Sequence, residues 1–313
     1  MPTHRNHPDA SAVPSPRPAA TVLLLREQHR RLEVLMTRRA AQLAFMGDLW
    51  VFPGGRLEET DCCAEMAERV LPEVRATCVT GLTAASGEPL DAATSLGLHV
   101  AGCRETFEES GVLLARRHGG AACDGEQIER LKARRQDLAA TSGAFLDMLR
   151  AEDLYVDVGP LVYWSHWITP AREGKRYDTR FFAIEVPAGQ EASVDRTETT
   201  EHAWVTADDA FEQRERGTMK MPPPTLSQLQ DLRETFERYG SLAAMLAGER
   251  GRSVPPILPK IVIADGEIQV VLPWDPDYAG LAGEQCAVAA QYPAHLARQP
   301  SRRTLPGRLK PSE

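Results

Sequence analysis

The chain has 313 residues, of which 42% are hydrophobic and 26% charged, with 44 acidic against 36 basic side chains and a net charge of −8. That length can bury one sizeable core with extensions, or two small domains. The acidic balance excludes a global basic field for nucleic acid, and no stretch approaches the ~18 consecutive apolar residues of a membrane span.

Residues 1–18 hold five prolines and two histidines without an apolar run, which predicts a disordered leader rather than a signal peptide. Residues 20–25 (Ala-Thr-Val-Leu-Leu-Leu) make a short buried strand, residues 27–31 a turn, and the alternating residues 32–37 its partner. Trp50-Val51-Phe52 is a third strand, stopped by Pro53-Gly54-Gly55. Residues 62–98 are weakly periodic, with turn signals at Gly81 and Ser86-Gly87, and predict a mixed, surface-lying insertion. A helix rich in glutamate follows to Gly111, and a helical insertion over 115–155 comes next. Its residues 126–150 form two helices broken at Thr141-Ser142-Gly143, with Ser142 as a cap.

Strands resume with residues 161–168 and 179–186, joined by a basic loop, and then the short 203–205. Thr206-Ala207-Asp208-Asp209 starts a helix with good capping chemistry, and residues 226–239 and 242–247 are helices split at Gly240-Ser241. In the C-terminal extension, 251–282, residues 260–264 and 267–272 flank Asp265-Gly266 as a hairpin. Residues 283–313 turn polar and rich in Arg and Pro, a poorly ordered tail. They end on Lys310-Pro311-Ser312-Glu313, which is no peroxisomal tripeptide. The expected compartment is the cytoplasm, with no membrane and no nucleic acid as partner, while a homodimer stays open.

Two fragments carry the chemistry. The first is Trp50-Val51-Phe52-Pro53-Gly54-Gly55-Arg56-Leu57-Glu58-Glu59-Thr60-Asp61, and the second is Arg104-Glu105-Thr106-Phe107-Glu108-Glu109-Ser110-Gly111-Val112. At 100° per residue Glu105, Glu108 and Glu109 share about one-third of a helix circumference, opposite an apolar stripe of Val100, Cys103, Phe107 and Leu114. Three crowded carboxylates repel one another and call for cations, and an all-oxygen set suits Mg²⁺ or Mn²⁺ rather than zinc. Cys62, Cys63, Cys78, Cys103 and Cys123, with His99, lack a C-x2-C spacing, so free thiols in a reducing compartment are expected. Arg104 can orient a neighbouring glutamate through a charge-assisted hydrogen bond. Gly54 and Gly55 would let the backbone approach a phosphate or offer a carbonyl to a metal. Arg172, Lys175, Arg176 and Arg180 form a local basic cluster able to hold a phosphorylated substrate, and Arg38 and Arg39 are a second such pair. Trp164 and Trp167 are expected in the core.

Read together, the two fragments resemble the Nudix box, G-x5-E-x7-R-E-U-x-E-E-x-G-U, with Gly55 at the first position and Asp61 in place of the glutamate. Residues 62–103 form a spacer of 42, far longer than the pattern's x7. Leu35-Met36-Thr37-Arg38-Arg39-Ala40, Gly47 and Phe52-Pro53-Gly54-Gly55 resemble the signature upstream of the box in coenzyme A diphosphatases, with Ala44 standing for an arginine and Gly47 one residue early. The split box, Trp167-Ile168-Thr169-Pro170, the segment from Arg176 to Phe182 and Val271-Leu272-Pro273-Trp274-Asp275 are similar to one subgroup of Nudix hydrolases. That subgroup includes a mammalian peroxisomal enzyme cleaving coenzyme A and acyl-coenzyme A. The resemblance covers roughly residues 19–280.

The resemblance implies an α/β fold, the Nudix α/β/α sandwich with a mixed β-sheet between helices, spanning 19–250. It carries the insertions and a C-terminal helical/β-hairpin extension. It implies metal-assisted hydrolysis of a P–O–P bond in a nucleoside-diphosphate-linked small molecule, with Glu105, Glu108 and Glu109 as metal ligands. It also implies a further acidic residue at Glu198, six positions before Trp204. Coenzyme A or acyl-coenzyme A is the expected substrate, ADP-ribose or a dinucleotide the alternative. A ligand sensor without turnover is the reading from another class.

Overall fold

The computed structural model describes residues 14–42, 47–76, 78, 81–171, 173–194, 199–264, 267–284, 292, 296 and 302–304. In chain order the elements begin with β1 (Arg17–Gln28), β2 (Arg31–Arg39), β3 (Trp50–Val51), β4 (Gly54–Arg56) and a 3-10 turn, Glu59–Cys62. Helices α1 (Ala64–Glu68), α2 (Pro72–Arg75) and α3 (Ala92–Ser110) follow. Next come β5 (Ala115–Arg117), α4 (Gly125–Lys132), α5 (Arg135–Ala139), α6 (Ala144–Ala151) and β6 (Leu154–Val156). The second half runs β7 (Val162–Ile168), β8 (Tyr177–Glu185), β9 (Thr199–Val205), α7 (Ala207–Glu215), α8 (Pro223–Tyr239) and α9 (Leu242–Glu249). It closes with β10 (Pro256–Ile257), β11 (Lys260–Ala264), β12 (Glu267–Val271) and β13 (Arg302–Thr304).

The main sheet has the order β10-β7-β8-β1-β2-β3, with β4 paired to β1 and β9 to β2. β1 runs parallel to β8, and β10 parallel to β7; the other pairings are antiparallel. A mixed sheet of this kind needs cover on both faces. The central strand shows it: Val22 and Leu24 pack with Val100, Cys103 and Phe107 of α3, whereas Leu23 and Leu25 pack with Leu229, Leu232 and Met245 of α8 and α9. The α/β class expected from the sequence is therefore observed, as one sheet between two helical layers. Trp164 and Trp167 are core residues of the second layer. No helix among the described residues is long and apolar enough to cross a membrane.

Several expectations change. The leader is shorter, because Arg17 and Pro18 already belong to β1; residues 1–13 lie outside the described ones. The strand at Trp50 does stop before Pro53, but Gly54-Gly55 goes on to form a separate strand, β4, on β1. The segment 62–98 is not surface-lying, since Met66, Val70, Cys78, Leu82, Leu96 and Leu98 are buried in the core under α3. Its last residues are the first turns of α3, capped by Asp91, whose side chain accepts from Thr94 N at 2.9 Å. A weak hydrophobic period missed that start because the helix is buried almost all round, leaving no polar face to give a period. Its far end agrees: Gly111 takes a left-handed φ of 71° and caps α3, so Leu114 is buried beyond the helix rather than on its stripe.

The 115–155 segment holds three helices rather than two, and β5 pairs with β6 at its ends. Ser142 does not cap α6; Gly143 occupies that position and the Ser142 hydroxyl donates to Glu58 instead. The 203–205 strand lengthens to β9, while the caps at Thr206, Gly240 and Ser241 are as expected. The C-terminal extension gives β10 to the main sheet, and β11 and β12 form the expected hairpin, whose Asp265-Gly266 turn lies outside the described residues. The presumed tail contributes β13, paired with β12, and Tyr292, which packs edge-on to Trp274.

The β1–β2 turn is tighter than the expected 27–31. Gln28 pairs with Arg31, leaving only His29 and Arg30, with φ of 50° and 62°. Two consecutive left-handed residues are the type I′ hairpin geometry that glycine fills without steric cost. Arg30→Gly should therefore stabilise the protein by about 1 kcal/mol, a rise in Tm of roughly 2–4 °C in thermal unfolding. A fall in Tm would show that the Arg30 side chain contributes more than its backbone strains.

Candidate active site

The spacer leaves and returns to one point. The 3-10 turn before it carries Asp61, and α3 after it carries Arg104; Nε and Nη2 of Arg104 each donate to an Asp61 oxygen at 3.0 Å. Close packing makes this possible, because a Cβ at Gly97 would overlap the Cys62 sulfur at the same seam. Nη2 of Arg104 also donates to the Arg56 carbonyl at 2.9 Å, and Nη1 donates to Glu105 at 3.0 Å and Glu108 at 3.1 Å. All five N–H groups of a guanidinium are thereby used. The side chain is only 6% exposed.

Arg104 thus orients two glutamates, not one. Glu109 points across to the β4 loop, where its Oε2 accepts from Gly54 N at 3.1 Å. Its Oε1 lies 3.9 Å from Arg39 Nη1. Gly55 faces Glu105 so closely that a Cβ there would overlap the carboxylate. The two glycines therefore meet the carboxylates of α3 itself: one supplies an N–H, the other supplies room. Arg39 is brought to this face with its Nε buried and without a hydrogen-bond partner. Arg38, on the opposite face of β2, is tied to Asp48 and Glu201.

The electrostatics are unbalanced. Burial opposes the charge of Arg104, but the Asp61 hydrogen bond and the Glu105, Asp61 and Glu108 charges outweigh it and hold its pKa above the ordinary value. Burial raises Asp61 as well. Glu108 is pushed up to about 7, first by burial and then by the charges of Glu105 and Glu58, against the pull of Arg104. Glu58 was not foreseen as a neighbour of the site. The signal lay in the sequence: Glu58 and Asp61 form a reciprocal capping box around the 3-10 turn, which fixes Glu58 beside the acidic face.

Among the described residues no three Asp, Glu, His or Cys side chains converge into a ready ligand set, because Arg104 draws Glu105 and Glu108 towards itself. The donor chemistry nevertheless fits a hard divalent cation: three carboxylates from one helix, a glycine that leaves space at Glu105, and a buried Glu108 whose charge is undercompensated. The five described cysteines form no disulfide, and Cys78 and Cys103 are buried thiols.

Two arginines of the basic loop are taken up by the fold. Arg176 is buried and donates to the carbonyls of Thr169 and Pro14 and to Glu284. Arg180 is buried on β8, paired with Asp178 and donating to the Thr83 carbonyl. Asp178 in turn holds His166. Both arginines tie the fold together, and among the described members of this cluster Lys175 alone is exposed. Arg172 and Glu198 lie outside the described residues.

The comparisons with known proteins match this geometry. The family model described as the NUDT19 Nudix domain matches residues 10–233. The chain belongs to that family. As a Nudix hydrolase it is 26% identical over 286 residues to the acyl-coenzyme A diphosphatase NUDT19 of Xenopus laevis, covering 82% of this chain and 74% of the relative. It is 28% identical over 293 residues to the protein of the same name from Gallus gallus, covering 79% and 75%. A crystal structure of a NUDIX hydrolase from Alicyclobacillus acidocaldarius superposes with a TM-score of 0.60 at 26% identity, over 75% of this chain and 97% of that one.

Two predictions follow from the Nudix site. Gly55→Ala should displace the Glu105 carboxylate and weaken Mn²⁺ binding by about 10- to 100-fold, the range for disturbed metal surroundings. Electron paramagnetic resonance titration reads this directly, and an unchanged affinity would remove Gly55 from the site.

The second concerns pH. Burial holds the folded Glu108 pKa up at about 7, above the ordinary glutamate value of 4.5, so its contribution to stability is full below the lower value and is lost as pH rises through the higher one. Metal-free protein should accordingly melt lower at pH 8 than at pH 6, and added Mg²⁺ should raise Tm more at pH 8. In Glu108→Gln both trends should flatten; a variant that keeps the wild-type slope would assign it to other groups.

Proposed function

We propose that the protein hydrolyses the diphosphate of coenzyme A or acyl-coenzyme A, giving 3′,5′-ADP and (acyl-)phosphopantetheine, with Mg²⁺ or Mn²⁺ as the ion. The observation that carries the reading is the face of Glu105, Glu108 and Glu109 set against Gly54-Gly55 by Arg104. The names of the Xenopus laevis and Gallus gallus relatives support the substrate.

Glu105, Glu108 and Glu109 would hold the ion, which when bound supplies charge neutralisation at the diphosphate and a more acidic water. Arg104 keeps Glu105 and Glu108 in one orientation, so the carboxylates need little reorganisation when substrate arrives. One glutamate of this face accepts the proton of the attacking water, which adds to phosphorus in line with the leaving phosphate. Arg39 stands on the opposite wall, half a fork already buried, and is the chain's cation for a phosphate oxygen. Arg38 is committed to its own ion pairs. Glu198 enters the proposal on the family resemblance alone. The cytoplasm is the proposed compartment, supported by described cysteines that form no disulfide.

The test supplies coenzyme A, an acyl-coenzyme A, ADP-ribose and a dinucleoside polyphosphate with Mg²⁺, and identifies products by mass. Release of 3′,5′-ADP with highest kcat/KM on the coenzyme A substrates is expected, and preference for ADP-ribose would overturn the substrate. Glu109→Gln should lose at least about 100-fold in kcat while its Tm stays near wild type, since a carboxamide keeps the shape but not the charge. Near-wild-type turnover of that variant would displace the acidic face from the reaction.

A further inference from the structure

The helices between β5 and β6 have no part in the reading above, yet one of their side chains ends at the acidic helix. Arg135 of α5 is 6% exposed. Its Nη1 donates to the Ser193 carbonyl at 2.8 Å and to the Ser193 hydroxyl at 3.0 Å, and its Nη2 donates to the Val194 carbonyl. The same guanidinium fills the space that a Cβ on Gly111 would need, at the C-terminal cap of α3. A cation there also suits the negative end of the helix dipole.

Residues 190–194 are pinned to this end of α3 from several sides. Ser193 N donates to the Ser110 carbonyl at 2.8 Å, one residue past Glu109. The Gln190 side chain brackets Leu113, accepting from its N–H at 2.8 Å and donating to its carbonyl at 2.9 Å. Lys132 of α4 donates to the Glu191 carbonyl at 2.9 Å. Only four residues then separate Val194 from Thr199, where β9 begins opposite Arg39. Arg39 is the cation beside Glu109. Along β9, His202 pairs with Thr37 and stands two residues before Trp204, on the same face, and Trp204 packs on the α3 side of the sheet. His202 and Arg39 therefore share the face that looks towards the acidic helix. Burial first, and the charge of Arg135 second, lower the His202 pKa, which places Arg135 within electrostatic reach of that face.

We propose that Arg135 is a positioning residue: it locks residues 190–194 onto the end of the acidic helix and so fixes β9, with Arg39 and His202, at a set distance from Glu109. The proposal rests on the hydrolase reading in taking the cleft between α3 and β2–β9 as the substrate site. It gives the helical insertion a function, as the strut that sets the width of that cleft. A guanidinium suits the role because its donors lie in one fixed plane and two separate nitrogens reach Ser193 and Val194, whereas an ammonium gathers its three rotatable donors at a single nitrogen on a flexible stem.

The experiment compares wild type, Arg135→Met and Arg135→Lys in the full chain, on whichever diphosphate the wild type hydrolyses. In Arg135→Met the amides of residues 190–194 should exchange hydrogen at least tenfold faster, kcat should fall at least tenfold, and Mn²⁺ affinity should stay within twofold. The His202 imidazole should titrate at higher pH by nuclear magnetic resonance, because a neighbouring cation is gone. Arg135→Lys should recover part of both the exchange protection and kcat.

Faster exchange with unchanged kcat per folded molecule would overturn the proposal, and so would unchanged exchange. Loss of kcat together with Mn²⁺ binding would also overturn it, as damage to the acidic face itself. If Arg135→Met does not fold, Arg135→Lys decides alone: intermediate protection with reduced kcat supports the strut, and any other pairing overturns it. Exchange and Mn²⁺ binding do not depend on coenzyme A, so a wild type inactive on coenzyme A but active on another diphosphate overturns only the earlier substrate. A wild type that cleaves no diphosphate overturns both.

Discussion

A single buried guanidinium organises the site. Arg104 spends all five of its N–H groups on Asp61, the Arg56 carbonyl, Glu105 and Glu108, and each of these comes from a different stretch of the box or a different turn of α3. Burying an unpaired arginine costs several kcal/mol. The fold therefore has to deliver those acceptors together or not form locally at all. That constraint joins the 3-10 turn to the helix across a 42-residue excursion. It also leaves three carboxylates around one cation, with Glu109 and Glu58 close by. The geometry that solves the desolvation of Arg104 is the one that leaves an excess of negative charge for a divalent ion.

The long excursion is tolerated for two reasons. Loop-closure entropy rises only with the logarithm of length, so a longer spacer adds little. The spacer also contributes apolar surface, because Met66, Val70, Cys78 and Leu82 extend the core beneath α3. The arginines of β8 belong to the same arrangement. Arg180 reaches the Thr83 carbonyl inside the spacer, while Asp178 holds both Arg180 and His166, so the sheet grips the insertion through a buried polar network. Arg176 performs a similar task between the residue preceding β1 and the C-terminal extension, through Pro14 and Glu284. Four cations within nine residues looked like a phosphate surface. Alternation along β8 instead sends Asp178 and Arg180 to the face of Phe182, which packs in the α3 layer, and Arg176 is buried just before the strand begins.

Much of the sheet was legible because its strands carry strong local signals. Val22 to Leu25, the alternation in β2, the Thr206 cap and the Gly240-Ser241 break all stand where composition placed them. The misplacements share a cause. β4 is made of Gly54-Gly55-Arg56, residues without strand propensity, and exists only because β1 offers an unpaired edge. The first turns of α3 lack an amphipathic period because both sides of them are buried. In α6 a left-handed glycine took the capping position and released Ser142 to Glu58.

The sequence by itself determined the chemistry of the acidic face. Helical spacing alone puts Glu105, Glu108 and Glu109 on one side, and the order Gly55, Asp61, Arg104 names the partners. Tertiary structure decided everything that depends on distance between segments remote in the chain. It set Arg39 beside Glu109 and tied Arg38 to Asp48 on the other face of β2, and it withdrew Arg176 and Arg180 into the fold. It brought Arg135 from a separate helical segment to the end of α3. Spacing along one helix is fixed by the backbone's own hydrogen bonds, whereas the meeting of two segments is fixed by packing, and packing leaves no period in either sequence.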